Sequence, residues 1–342
     1  MIKSRGELHK QMERTIDANL RSLEEHGEYS EYNVKTNIIE SNCSIDEIPL
    51  TFDGYHIEIK PTDDKFLFGL VVRNNSQRFV LYIDTFFGRF WKLYNMENSE
   101  TINKFMDKFT NLLLLDSLWM PHQMLDNIES KLVNVGFSIK FKQEIFDEDE
   151  LGEDDISRLT MRLWSRGTKP SKNLFKLLQE NNYPSTKTST RVLNIDDHNV
   201  KFLDEVFFDG KITVGYSTKM KEIENNRMSF TKSACGQVVG GSPFEIKFSK
   251  NYDIQHLAEK IINSTHPFKL WGVIHDQTDD FLRIAGVDVH TGDKFSMDLM
   301  QKYGRLYLPE NACGNMVFRL YTNIQHYLDP GVMIFDEHGS VF

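Results

Sequence analysis

The chain is poor in cysteine and contains no long apolar run. Its three cysteines, Cys43, Cys235 and Cys313, lie far apart in 342 residues. An odd, scattered set builds no disulfide framework, and without a CxxC pair there is no zinc or thiol-redox motif. A reducing cytoplasm is therefore the expected location. A catalytic thiolate needs a partner base, and no local residue supplies one. No stretch of about 18 apolar residues occurs, so no transmembrane helix is expected. Residues 1 to 27 are heavily charged and lack the continuous apolar segment of a secretory signal. Phosphate-loop signatures are missing too. Neither GxxxxGKS/T nor GxGxxG is found, and Gly236, Gly240 and Gly241 come without the lysine that such a loop requires. No serine sits in a GxSxG elbow, and no repeat of fixed period is present. These patterns call for no cofactor.

What is present is ordinary for a globular chain, with one exception. Aromatic residues make up 12% of the sequence, including 25 Phe and 12 Tyr, which is enough ring area for sizeable cores. At roughly 150 residues per domain the length gives about two domains. The net charge is -10, from 50 acids against 40 bases. Such a balance argues against a surface that coats nucleic acid or an anionic membrane everywhere, but it leaves room for a local basic face.

Residues 5 to 26 read as a helix, with Ser4 and Glu7 as a capping box and Gly27 as its stop. Its apolar positions, Leu8, Met12, Ile16, Leu20 and Leu23, form one narrow stripe. Leu8, Met12, Ile16 and Leu20 are thus candidates for a partner or homo-oligomer contact, the alternative being docking on the chain's own body. Residues 28 to 48 read as a polar connector.

A β-rich region follows. Tyr55, Ile57 and Ile59 alternate with His56, Glu58 and Lys60. Apolar runs at 66 to 72 and 78 to 84 flank Asn74, Asn75 and Ser76, a hairpin signal. Phe90, Trp91, Leu93 and Tyr94 suggest another strand. Ser99 opens a helix with Ile102, Phe105, Met106, Phe109, Leu112 and Leu113 on its apolar face. Pro121 starts a second, with Leu125, Ile128 and Leu132 inward. Asp209-Gly210 marks a tight turn. Strand-like runs at 244 to 248, 268 to 275 and 281 to 289, and helices at 253 to 263 and 315 to 328, complete the chain.

Strands in hairpins, not alternating with helices, predict an α+β fold with mostly antiparallel or mixed sheets and packed helices. The segments expected are a helix and connector at 1–44, α+β segments at 45–146 and 147–243, and a C-terminal α+β segment at 244–342.

The exception is a separation of charge. Residues 147 to 155 hold seven acids in nine positions. Between Arg158 and Arg191 there are eight bases and one acid, 8 - 1 = +7. Side chains alternate faces along a strand. In 158 to 164, Leu159, Met161 and Leu163 point one way, while Arg158, Thr160, Arg162 and Trp164 point the other. Before the acid run, Phe137, Ile139, Phe141 and Ile145 oppose Ser138, Lys140 and Lys142. Paired as a hairpin, the two strands would present Lys140, Lys142, Arg158, Arg162 and Trp164 on one face. Arg166, Lys169, Lys172, Lys187 and Arg191 extend the basic set. Cations beside an exposed ring suit single-stranded nucleic acid, with phosphates on the charges and a base on the ring. An acidic protein partner is the other fit. The expected function is non-enzymatic binding within a larger complex, with the acid run competing for the basic face.

The alternative is a metal-dependent nuclease or phosphoesterase. Glu58-Ile59-Lys60 has an ExK spacing, with a carboxylate for a divalent cation and a lysine to orient water. The same spacing recurs at Glu245 and Lys247, and alternating Glu and Lys is also the ordinary look of a solvated strand. Asp288 and His290 share a strand face and form a second candidate pair. His275, Asp276, Asp279 and Asp280 fall at the opposite end of that hairpin and cannot join them.

Overall fold

The computed structural model describes residues 1–26, 33–141, 160–164, 173, 177, 185–196, 199–217, 243–310, 312–336 and 339–340. The fold is α+β, with antiparallel strand pairs and helices packed on them. It contains two compact units, each assembled from two stretches: residues 1–118 with 191–232, and residues 119–190 with 233–342.

The first unit begins with α1 (Arg5–His26). Its cap is offset by one residue from a capping box. Ser4 Oγ accepts from the Glu7 amide (3.3 Å), and the Glu7 carboxylate accepts from the Lys3 amide (2.8 Å). The strands β1 (Val34–Ser41), β2 (Thr51–Phe52), β3 (Tyr55–Pro61), β4 (Leu67–Arg73), β5 (Arg78–Phe87) and β6 (Phe90–Asn95) follow. The β4–β5 hairpin turns where Asn74 Oδ1 accepts from the Ser76 and Gln77 amides (3.0 and 2.8 Å). Helix α2 (Ser99–Phe109) is capped by Asn98 and is shorter than its apolar pattern suggests. Thr110 ends it, so Leu112 and Leu113 lie beyond the helix, and Leu113 is exposed. Strand β7 (Leu115–Ser117) pairs with β1.

The chain then enters the second unit with α3 (His122–Lys131), β8 (Val133–Phe141), β9 (Thr160–Trp164) and β10 (Ser185–Asp196). Strand β10 carries it across the border at 190/191. Strands β11 (Asn199–Phe207) and β12 (Lys211–Ser217) complete the first unit's sheet, in the order β2-β3-β4-β5-β6-β1-β12-β11. The turn between β11 and β12 requires its glycine. Gly210 has φ +82°, and a Cβ there would stand 2.7 Å from Ile38 O and 2.8 Å from Leu118 Cβ.

Period-2 alternation gives this sheet two apolar faces. Leu81, Ile83, Leu93 and Ile39 pack with Ile102, Phe105 and Phe109 of α2. Tyr82, Tyr94, Leu67, Val34 and Val214 pack with Leu8, Met12 and Ile16 of α1. The three α1 residues are fully buried and Leu20 packs at their edge. The stripe is therefore filled by the chain's own sheet, which corrects its reading as a partner contact. Arg5 fixes the start of α1, with Nε donating to Asp84 Oδ2 (2.8 Å) and Nη1 to Asp64.

The second stretch of the second unit contains β13 (Phe244–Lys247), α4 (Ile254–Ile261), β14 (Leu270–Gln277), β15 (Leu282–Asp288), β16 (Lys294–Leu299), β17 (Tyr303–Tyr307), α5 (Gly314–Tyr327), β18 (Met333–Asp336) and β19 (Gly339–Ser340). Its sheet runs β14-β15-β16-β17-β13-β18-β19. Asp253 caps α4 through the Gln255 and His256 amides. Helix α5 is buried at every position from Gly314 to Gln325, polar residues included. Arg319 is held there by Phe268 O (2.7 Å from Nε) and by Asp288 (2.6 Å from Nη2).

Candidate functional site

Strands β8 and β9 form the expected hairpin. Their register pairs Gly136 with Trp164, Phe137 with Leu163, Ser138 with Arg162, Ile139 with Met161 and Lys140 with Thr160. Phe137 and Ile139 are buried, and Met161 and Leu163 pack against them. The opposite face of β9 presents Thr160, Arg162 and Trp164, all exposed, with Lys140 exposed on the neighbouring strand. Trp164 is 51% exposed. Its position depends on the glycine across from it: a Cβ at Gly136 would stand 2.8 Å from Trp164 Cδ1 and 2.5 Å from Leu163 O. The indole thus occupies the space that a side chain at 136 would need, and half of its surface remains open.

The basic set divides. Lys140, Arg162 and Trp164 come together on this hairpin. Lys142, Arg158, Arg166, Lys169 and Lys172 lie outside the described residues, as do the acids at 147 to 155. Lys187 does not face outward. It is 2% exposed, its ammonium pairs with Asp126, and it lies 5.8 Å from the ring centroid of the inward-facing Phe137. Thr186 to Thr190 are all buried, so both faces of β10 are covered there and the lysine charge is buried with its carboxylate partner. Ser138 is also buried, and Arg191 is partly buried on the portion of β10 that belongs to the other unit.

Lys187 leads to a polar cluster that sequence reading missed. The Lys187 amide donates to His122 Nε2 (3.0 Å), which makes that imidazole a neutral acceptor. The His122 amide donates to Gln325 Oε1 (3.3 Å), and Gln325 Nε2 donates to Gln123 Oε1 (3.3 Å). Gln123 Nε2 donates to the Tyr321 hydroxyl (2.8 Å), which donates in turn to Val332 O (3.1 Å). The His122 and His326 rings meet edge to face at 6.0 Å. Burial, then the Lys187 charge, pulls the His122 pKa down to about 4, against the opposing effect of Asp126. Burial, then His122 and Lys140, holds His326 well below the usual imidazole range. A sequence signal existed in Pro121-His122 opening α3, but a lone histidine there does not reveal its burial.

The two candidate metal pairs are built differently. Glu58 sits in an exposed ion pair with Lys60 (3.0 Å) and near Arg73 (3.7 Å), and these cations hold its carboxyl below the usual range. Asp288 is fully buried and engaged by Arg319, while its Oδ1 accepts from the His290 amide (2.9 Å). His290 lies in the turn after β15, not on the strand. Among the described residues, neither Glu58 nor Asp288 belongs to a trio of metal-ligating side chains. No described helix is long and apolar enough to cross a membrane.

Comparison with known proteins gives a family for the whole chain. The protein is 28% identical to the uncharacterized protein MJECL33 of Methanocaldococcus jannaschii, over 97% of this chain and 94% of that protein. No solved structure matches. The family model described as MJECL33-like protein matches residues 1–215 and 210–340. The chain belongs to the MJECL33-like protein family.

Proposed function

We propose that this protein binds single-stranded nucleic acid through the β8–β9 face, without turnover, as part of a larger complex in a reducing cytoplasm. The observation that carries the reading is Trp164, held half-exposed over Gly136 with Arg162 two residues away on the same face and Lys140 on the next strand. A stacked base gains about 1–3 kcal/mol on such a ring, and the cations take the flanking phosphates. Lys142, Arg158, Arg166, Lys169 and Lys172 extend the charge in sequence.

The test is fluorescence anisotropy of a labelled single-stranded oligonucleotide across a salt series. With Lys140 and Arg162 alone engaged, log affinity should fall against log salt with a slope of about -1.4, and more steeply with each further base. Deleting 147 to 155 should tighten binding at low salt, since the seven acids compete with phosphate. A flat salt series would contradict the reading. Preference for an acidic polypeptide over the oligonucleotide would move the assignment to a protein partner.

A further inference from the structure

The second unit has a half-open cavity of about 310 Å³ at the start of α4 and the end of α5. Its floor is apolar, formed by the buried Leu257 and Leu328. Lys250, His256 and Lys260 line it. His256 and Lys260 are one turn apart on the same face of α4, and both are exposed. Tyr252 is fixed by its hydroxyl, which donates to Leu328 O (3.0 Å), and the Lys250 ammonium stands 5.5 Å from its ring centroid. Tyr327 departs from the rest of α5. Positions Gly314 to Gln325 are buried, whereas the Tyr327 ring is 49% exposed at the cavity. Asp253 is the one carboxylate in the lining, and its Oδ1 accepts from the Gln255 and His256 amides (3.0 and 3.2 Å). Two ammonium groups and an imidazole therefore line a cavity whose single carboxylate caps α4.

A cavity of this size lies at the lower end of the small-molecule range. Cations beside tyrosine rings, above an apolar floor, match a ligand with a phosphate at one end and a flat ring at the other. We infer that this cavity binds a nucleoside monophosphate, its phosphate held by Lys250, His256 and Lys260 and its base set against Tyr327. The site shares no residue with the β8–β9 face and stands whether or not that face binds nucleic acid.

The experiment is calorimetric titration of the full chain with AMP, adenosine and inorganic phosphate in turn. AMP should bind, and adenosine and phosphate should each bind at least about tenfold more weakly. Lys260→Glu and Tyr327→Ala should each weaken AMP by about tenfold or more. Lys260→Gln, a milder change at an exposed position, should weaken it in the same direction. No AMP binding at about 1 mM would overturn the proposal, as would equal affinity for phosphate or unchanged affinity in the Lys260 and Tyr327 variants.

Discussion

The buried imidazole of His122 makes stability depend on pH in a defined window. Its folded pKa of about 4 lies below the ordinary value of 6.5, because the fold buries the ring and places Lys187 beside it. The unfolded chain therefore binds a proton between pH 6.5 and 4 that the folded chain refuses. Stability from this group is fully present above pH 6.5 and is lost as pH falls toward 4. At one pKa unit per 1.36 kcal/mol, the full loss is about 3 kcal/mol, and about 2 kcal/mol of it has gone by pH 5. His326 is shifted in the same direction and adds to the loss. The perturbation is His122→Gln, whose side-chain oxygen can still accept from the Lys187 amide but does not titrate. Urea unfolding followed by circular dichroism, at pH 7.5 and at pH 5, separates the two effects. The variant should be less stable than the native chain at pH 7.5. Between the two pH values, however, it should lose about 2 kcal/mol less. Equal losses in both proteins would refute the assignment of a buried neutral imidazole at 122.

Three further outcomes follow from the packing. Lys187→Met should be near neutral in stability, because Asp126 is half-exposed and can be solvated, whereas Asp126→Ala strands a buried ammonium and should cost about 3 kcal/mol or more by chemical denaturation. Met12→Ala, at a fully buried position in the α1 seam, should cost about 2–5 kcal/mol in the same assay without creating or abolishing an oligomer in sedimentation. Gly136→Val should displace the Trp164 indole, seen as a change in tryptophan emission, and weaken oligonucleotide binding with it.

What the sequence reveals and what it hides divide along physical lines. Hairpins are local, so the β4–β5 turn at Asn74 and the Gly210 turn could be anticipated from alternation and turn chemistry, and the pairing of β8 with β9, though not its register, from alternation alone. The α1 stripe was equally plain, but periodicity shows only that a face is apolar, not what covers it. Here the cover is Tyr82, Tyr94 and Val214 from distant strands. The α2 pattern runs past the helix because Leu112 and Leu113 continue its spacing after Thr110 has ended it. Lys187 shows the limit of counting charges along a strand. Its burial depends on Asp126, 61 residues away, and on the Phe137 ring beneath its ammonium. The His122 cluster and the Tyr327 cavity are likewise made by residues far apart in the chain, which no linear pattern brings together. The two units interleave in sequence, whereas expected segments follow the chain from end to end.

The central claim is that Trp164 and its neighbouring cations bind a single strand. Trp271 offers an internal control, since it is 50% exposed on β14 in the same unit yet outside the β8–β9 hairpin. The direct measurement is the affinity of a labelled single-stranded oligonucleotide at low salt for the native chain, Trp164→Ala and Trp271→Ala. Losing one stacked base costs about 1–3 kcal/mol, so Trp164→Ala should bind roughly 5- to 150-fold more weakly while Trp271→Ala matches the native chain. Equal binding by the native chain and Trp164→Ala, or no binding by the native chain, would contradict the account.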